Sequence, residues 1–154
     1  MSKQEKLIAL VKEALKKSGI VKAMFEEFCI PLDDIDNVSI EFSKLEVSAK
    51  TKDRKIYLNE KFLKDGEFLE DIHYIVHELC HYLQQTKNEV KDYEGLEDKS
   101  YLDKPTEIEA FQYQVQFMKD EYGDDVAKDY VKNLLDFHDI DGEEAEKKKL
   151  LLGG

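Results

Sequence analysis

Residues 71–85 read Asp71-Ile72-His73-Tyr74-Ile75-Val76-His77-Glu78-Leu79-Cys80-His81-Tyr82-Leu83-Gln84-Gln85, and this stretch decides how the rest of the chain is read. Ile72, Ile75, Val76, Leu79 and Leu83 recur at helical spacing and form one apolar stripe, so an amphipathic helix is expected from about Glu67 to Gln85. At about 100° per residue His77 and His81 fall nearly opposite that stripe, on the face expected to point outward. One helical turn apart, their imidazoles can converge on a single metal ion. Glu78 sits beside them but turned away from ligation, completing the pattern HExxH. From there a carboxylate can deprotonate a metal-activated water and pass the proton to a leaving amine. His73 extends the spacing by one more turn. It lies roughly 12 Å along the axis from His81, too far to share the ion, and is expected on the helix surface.

Upstream, the period changes from 3.6 to 2. Val38, Ile40 and Phe42, then Leu45, Val47 and Ala49, then Ile56 and Leu58 alternate with polar neighbours and predict three short strands. Thr51-Lys52-Asp53-Arg54 suits a hairpin turn and Ser43-Lys44 a tight link, so a small, mostly antiparallel sheet packed on the motif helix is expected. Before it, Lys3 to about Ser18 and Val21 to Phe28 have helical periods, with Ser18-Gly19 as a stop and Pro31 as a break. After it, Pro105 begins a helix to about Tyr122 that is apolar on two sides and therefore sandwiched. Helices at about Asp124–His138 and Gly142–Leu152 follow. The fold class is α+β, in one domain spanning 1–154, with N-terminal helices (1–30), sheet and motif helix (38–86) and a helical C-terminal part (105–152).

A catalytic zinc ion takes three protein ligands and keeps one position open. The longer pattern HExxHxxGxxH is absent, because Gln84 and Asn88 occupy its glycine and third histidine positions, so the third ligand is expected to be a carboxylate from another element. Glu107 and Glu109 on the sandwiched helix are the candidates. Glu109 shares its side with Tyr113, away from Ile108 and Val115, whereas Glu107 lies at the margin of that apolar stripe, and the helical-face argument favours Glu109.

On these residues the chain resembles the gluzincin metallopeptidases, in which a Glu followed by Ala on the helix after HExxH completes the zinc site, and Glu109-Ala110 fits that pattern. The order of elements is similar to that of the compact minigluzincins over residues 38–122. The resemblance implies a zincin-like fold, Zn²⁺ held by His77, His81 and Glu109, Glu78 as general base, and hydrolysis of peptide or protein substrates. It also implies that Val47, Ser48 and Ala49 lie on a strand that pairs with extended substrate. Where larger gluzincins often carry an Asp four residues after the ligand Glu, this chain has Tyr113. Tyr113, Tyr101, Tyr93 and His138 are the candidates for a hydrogen bond to a ligand or to the developing oxyanion.

Composition bounds the alternatives. The chain has 154 residues, 38% of them charged, and a formal net charge of -12, which repels phosphate backbones and disfavours nucleic acid as a partner. No apolar run is long enough to cross a bilayer, and no signal-like start is present, so a cytoplasmic protein is expected. Cys29 and Cys80 form no CxxC pair and are expected to be reduced, packed thiols. Two other functions compete with hydrolysis: a catalytically silent binding or regulatory protein on the same scaffold, and a DNA-associated or repressor-cleaving protease. Oligomeric state leaves no mark in the sequence.

Overall fold

The computed structural model describes residues 2–63, 71–87 and 101–153. Among these residues six α-helices and three strands follow one another as α1 (Lys3–Lys16), α2 (Gly19–Glu27), β1 (Ser39–Ser43), β2 (Ala49–Lys52), β3 (Lys55–Asn59), α3 (His73–Thr86), α4 (Pro105–Tyr122), α5 (Asp124–Phe137) and α6 (Gly142–Leu152). The protein is thus α+β and mostly helical.

Local chemistry sets the first boundaries. Ser2 Oγ accepts from Glu5 N at 3.1 Å to cap α1, and Ser18 Oγ accepts from Val21 N at 3.2 Å to cap α2. Ser18-Gly19, expected only as the end of one helix, therefore begins the next.

The sheet is mixed rather than mostly antiparallel. Its order is β1-β3-β2: β1 runs parallel to β3, and β2 pairs antiparallel with β3. The β2–β3 hairpin is the expected one, with Asp53 and Arg54 both at positive φ (51° and 62°), the geometry a two-residue turn needs to match strand twist. Arg54 carries this left-handed backbone because α3 holds it. Its N–H donates to Gln85 Oε1 at 2.7 Å, its Nε to Thr86 Oγ1 at 3.1 Å, and its guanidinium lies over the Tyr82 ring. The first link differs from expectation: β2 begins at Ala49 instead of Leu45, so of the expected strand positions Val47, Ser48 and Ala49 only Ala49 lies in it. Residues 44–48 carry the chain past β3, so that β2 takes the edge of the sheet, and Asn59 Nδ2 ties this segment down by donating to Leu45 O (2.8 Å) and Val47 O (3.0 Å).

Two apolar clusters meet across α3 and α4. One gathers α1, α2, the sheet and the apolar stripe of α3, with Leu15, Phe25, Ile56, Ile75, Leu79 and Leu83 almost fully buried. The other lies between α4, α5 and α6 around Phe111, Val115, Val131, Leu135 and Leu152. Helix α4 contributes Ala110 and Phe117 to the first and Phe111, Val115 and Met118 to the second, which is why its sequence is apolar on two sides. At about 1.5–3 kcal/mol for each large side chain removed from water, these clusters offset the cost of the polar layer enclosed between them. Among the described residues no helix is long and apolar enough to cross a membrane.

Candidate metal centre

The polar layer is the second face of α3. His73, His77, His81 and Gln84 follow one another at helical spacing, and all four are buried, as is Glu78. The expectation that His77 and His81 face outward and that His73 lies on the surface is therefore corrected. Helix α4 packs over that face and presents Glu107, Phe111 and Gln114 to it, at spacings of four and three residues.

His77 Nε2 and His81 Nε2 lie 2.9 and 2.8 Å from a single oxygen, Glu107 Oε1. The preference for Glu109 is corrected as well. Glu109 points to the flank of this site, where its Oε1 accepts from Gln84 Nε2 at 2.9 Å and lies 3.8 Å from Cys80 Sγ. The margin position that counted against Glu107 is the line along which α4 meets α3.

Each histidine is backed by a glutamine. Gln84 Nε2 donates to Thr106 O, which can only accept, so the amide is oriented with Oε1 toward His81 Nδ1 at 2.8 Å. His81 Nδ1 therefore carries a proton, and Nε2 is the nitrogen that meets Glu107, donating to it while the imidazole is charged. On the other flank Gln114 Oε1 lies 2.9 Å from His77 Nδ1, while its Nε2 donates to His73 Nδ1 (2.8 Å) and the Tyr130 oxygen (3.0 Å). Neither glutamine is marked by the motif, and His73 is marked only to be set aside. The signal that would have found them is the repeat of polar residues at 73, 77, 81 and 84 facing 107 and 114, two buried stripes that bond largely to each other.

The electrostatics match this geometry. Burial opposes charge on His81, but the hydrogen bond and charge of Glu107, with Glu78 and Gln84, outweigh it and hold the imidazole up at about 9. Burial likewise opposes the Glu107 carboxylate, and its hydrogen bonds with His77 and His81 overcome that and keep it ionised well below the usual carboxylate range. His73 is pushed down to about 4 by burial and by His77, so it is a neutral acceptor for Gln114. One oxygen and two nitrogens from Glu107, His77 and His81, all within 4.8 Å of one another, suit a cation that accepts mixed nitrogen and oxygen donors.

Glu78 stands beside this triad without joining it. Its Oε1 lies 3.0 Å from Thr51 Oγ1 on β2, and it lines two adjoining cavities. One, of about 330 Å³, opens on the His77 side between Val47, Ser48 and Ala49 and the helices α3, α4 and α5. The other, of about 370 Å³, opens on the His81 side, where Lys50, Thr51, Gln84 and Gln85 make it polar. Together they form a cleft along the outer edge of β2. Asn59 N donates to Ser48 O, so alternate residues turn their backbone groups toward β3 and the amides of Ala49 and Thr51 face away from it.

The remaining candidates separate. Tyr101 hydrogen-bonds Glu107, and its ring stacks on His138 (5.6 Å between centroids, 10° between planes) and meets the edge of Phe111, which in turn packs on His77. Burial and the charges of Glu107 and Glu78 raise the Tyr101 hydroxyl, which keeps its proton. Tyr113 goes elsewhere. It packs against the first apolar cluster and lines neither cavity of the cleft, and burial pushes its hydroxyl up to about 12. Tyr93 lies outside the described residues. Cys80 is fully buried and Cys29 exposed, both as free thiols, so only Cys80 is the packed thiol expected.

No family model, curated protein or solved structure matches this chain.

Proposed function

We propose that the chain is a zinc-dependent endopeptidase with a zincin-like fold, in which His77, His81 and Glu107 hold the ion and Glu78 is the general base. The observation that carries this reading is the burial of two imidazole nitrogens around one carboxylate oxygen, with a second, unligating carboxylate at the floor of a cleft. Bound there, zinc would supply Lewis acidity, polarising a carbonyl and making water a better nucleophile at neutral pH.

The chain's own residues do the rest. The outward amides of Ala49 and Thr51 offer an extended peptide a strand to pair with, which would lay its backbone across Glu78. Thr51 steadies the Glu78 carboxylate, which accepts a proton from the attacking water and delivers it to the amide nitrogen as the bond breaks. Tyr101, protonated and stacked on His138, hydrogen-bonds Glu107 and so steadies that carboxylate beside the two imidazoles.

The deciding experiment is Glu78→Gln, assayed on a mixed peptide library with zinc content measured in parallel. Hydrolysis should fall by about 10²–10⁴ while zinc remains bound. A variant that cleaves as well as the wild type would sink the mechanism.

A further inference from the structure

The strand that borders the cleft carries a charge unlike that of the rest of the chain. Residues 44–61 hold six Lys and Arg against three Asp and Glu, in a protein whose formal net charge is -12. Three of the six stand together on one face of the sheet. Thr51 turns its side chain toward Glu78 on α3, so Lys50 and Lys52, its neighbours on β2, turn theirs to the opposite face. The pairing of Lys52 with Lys55 adds Lys55 to that face, and Lys50 Nζ lies over the ring of its own partner, Tyr57, 5.8 Å from the centroid. Lys50, Lys52 and Lys55 are exposed, and among the described residues none of them forms an ion pair. The acids of this sheet stand off the row. Glu41 shares the face but lies on β1, with β3 between it and β2; Asp53 sits in the turn, and Glu46 and Glu60 lie beyond the strand ends.

A strand laid along the free edge of β2 meets this charge at every second residue. It pairs with the outward backbone groups of Ala49 and Thr51, and its side chains alternate between the two faces of the sheet. Those on the α3 face meet Glu78 and the two cavities. Those between them come beside Lys50 and Lys52, where a cross-strand pair of opposite charge is favourable and a pair of like charge is not. A second copy of β2 would set lysine beside lysine, so the edge refuses its own kind. The strand it favours has acids two residues apart.

We propose that the edge of β2 selects peptides with acidic residues at two positions separated by one, a Glu-x-Glu segment whose carboxylates lie beside Lys50 and Lys52 while the residue between them faces α3. The assignment rests on the peptidase reading for the place of the cut, but the charge selection is testable without hydrolysis. Products of a cleaved peptide library, read by mass spectrometry, should show Asp and Glu enriched at two positions separated by one residue and not at the position between them. In matched peptides Glu-Val-Glu should exceed Gln-Val-Gln by about tenfold in kcat/KM at low salt, expressed in KM, and the ratio should shrink as added salt screens the pairs. Lys50→Gln combined with Lys52→Gln should bring the ratio close to one, whereas Lys3→Gln with Lys6→Gln, the same change of net charge on α1, should leave it in place. A wild-type ratio of one overturns the proposal. So does a ratio unmoved by the β2 substitutions in a variant that now self-associates, which would leave the lysines as guards against self-pairing. In Glu78→Gln protein the acidic peptide, titrated and followed by NMR, should shift the amides of Ala49 and Thr51 at lower concentration than its Gln counterpart. If it does and the wild type cleaves no peptide, the peptidase reading fails and the charge selection stands. Cleavage that depends on Glu78 but is indifferent to acids keeps the peptidase reading and overturns the selection, and the absence of both cleavage and shift overturns both.

Discussion

The two flanks of the cluster of His77, His81 and Glu107 solve one problem with different parts. On the His81 flank, Gln84 lies three residues along the same helix and is pinned by a backbone carbonyl and a carboxylate, Thr106 O and Glu109, neither of which can donate to it. On the His77 flank, Gln114 comes from α4 and is pinned by His73 and Tyr130, each able to give or take a proton. The first lock fixes the amide outright; the second fixes it only while His73 stays neutral. The His81 flank is thus the rigid side of the site.

The largest effect should come from the group both flanks share. Glu107→Ala removes the oxygen that meets both Nε2 atoms, and zinc affinity should fall by more than about a hundredfold, beyond what outer partners contribute. Metal analysis after dialysis against a chelator reads this directly. Retention of stoichiometric zinc would break the site as described.

The glutamines come next. Gln84→Leu and Gln114→Leu each remove the acceptor for an imidazole N–H, a loss that typically costs about 10–100-fold in metal affinity. Gln84→Leu should sit near the top of that range, because it also removes the amide donor from the Glu109 carboxylate, and Gln114→Leu near the bottom. Competition titration with a zinc chelator gives both values. The reverse order would mean that the carbonyl lock is not what orients His81.

A pH series sharpens the same contrast in protein stripped of metal. His81 is raised from 6.5 to about 9 in the folded state, so its contribution to stability is fully present below about pH 6.5 and is lost as pH rises through 9. Glu107 is lowered, so its share is present above its ordinary carboxylate range and fades as pH falls through the folded value. His73, depressed to about 4, favours the fold only while neutral, and that share is lost as pH falls below about 6.5. Thermal unfolding should therefore show a stability maximum near neutrality, with the alkaline limb absent in Glu107→Gln. An alkaline limb that survives in Glu107→Gln would assign it to another group.

How much of this was legible in the sequence depends on which contacts are local. Helix α3 with its histidines, helix α4 from Pro105 and the Asp53-Arg54 turn follow from period and turn chemistry within a few residues of each other. Strand order did not, because three alternating runs of similar length carry no mark of which one takes the edge. The burial of His73 and the choice of Glu107 were hidden for a related reason. A helical wheel gives the faces of α4 but not their partners, and the polar line through 107 and 114 reads as a margin until α3 is laid along it. The two apolar stripes on α4 were visible; that the seam between them holds the site was not.

The smallest predicted effect tests that seam. Glu109 and Glu107 are two residues apart on one helix, one bonded to the amide that orients His81 and the other to His81 itself. Glu109→Gln keeps an oxygen for Gln84 Nε2 while removing the charge, so zinc affinity should change by less than about threefold. Glu109→Ala removes the acceptor too, but Thr106 O still holds the Gln84 amide, and the loss should stay near the value of one net hydrogen bond, about 1 kcal/mol or roughly fivefold. The ratio between Glu107→Ala and Glu109→Ala is the informative quantity. A ratio far above one places the third ligand on the line facing α3, and a ratio below one returns it to the residue that the helical wheel alone selects.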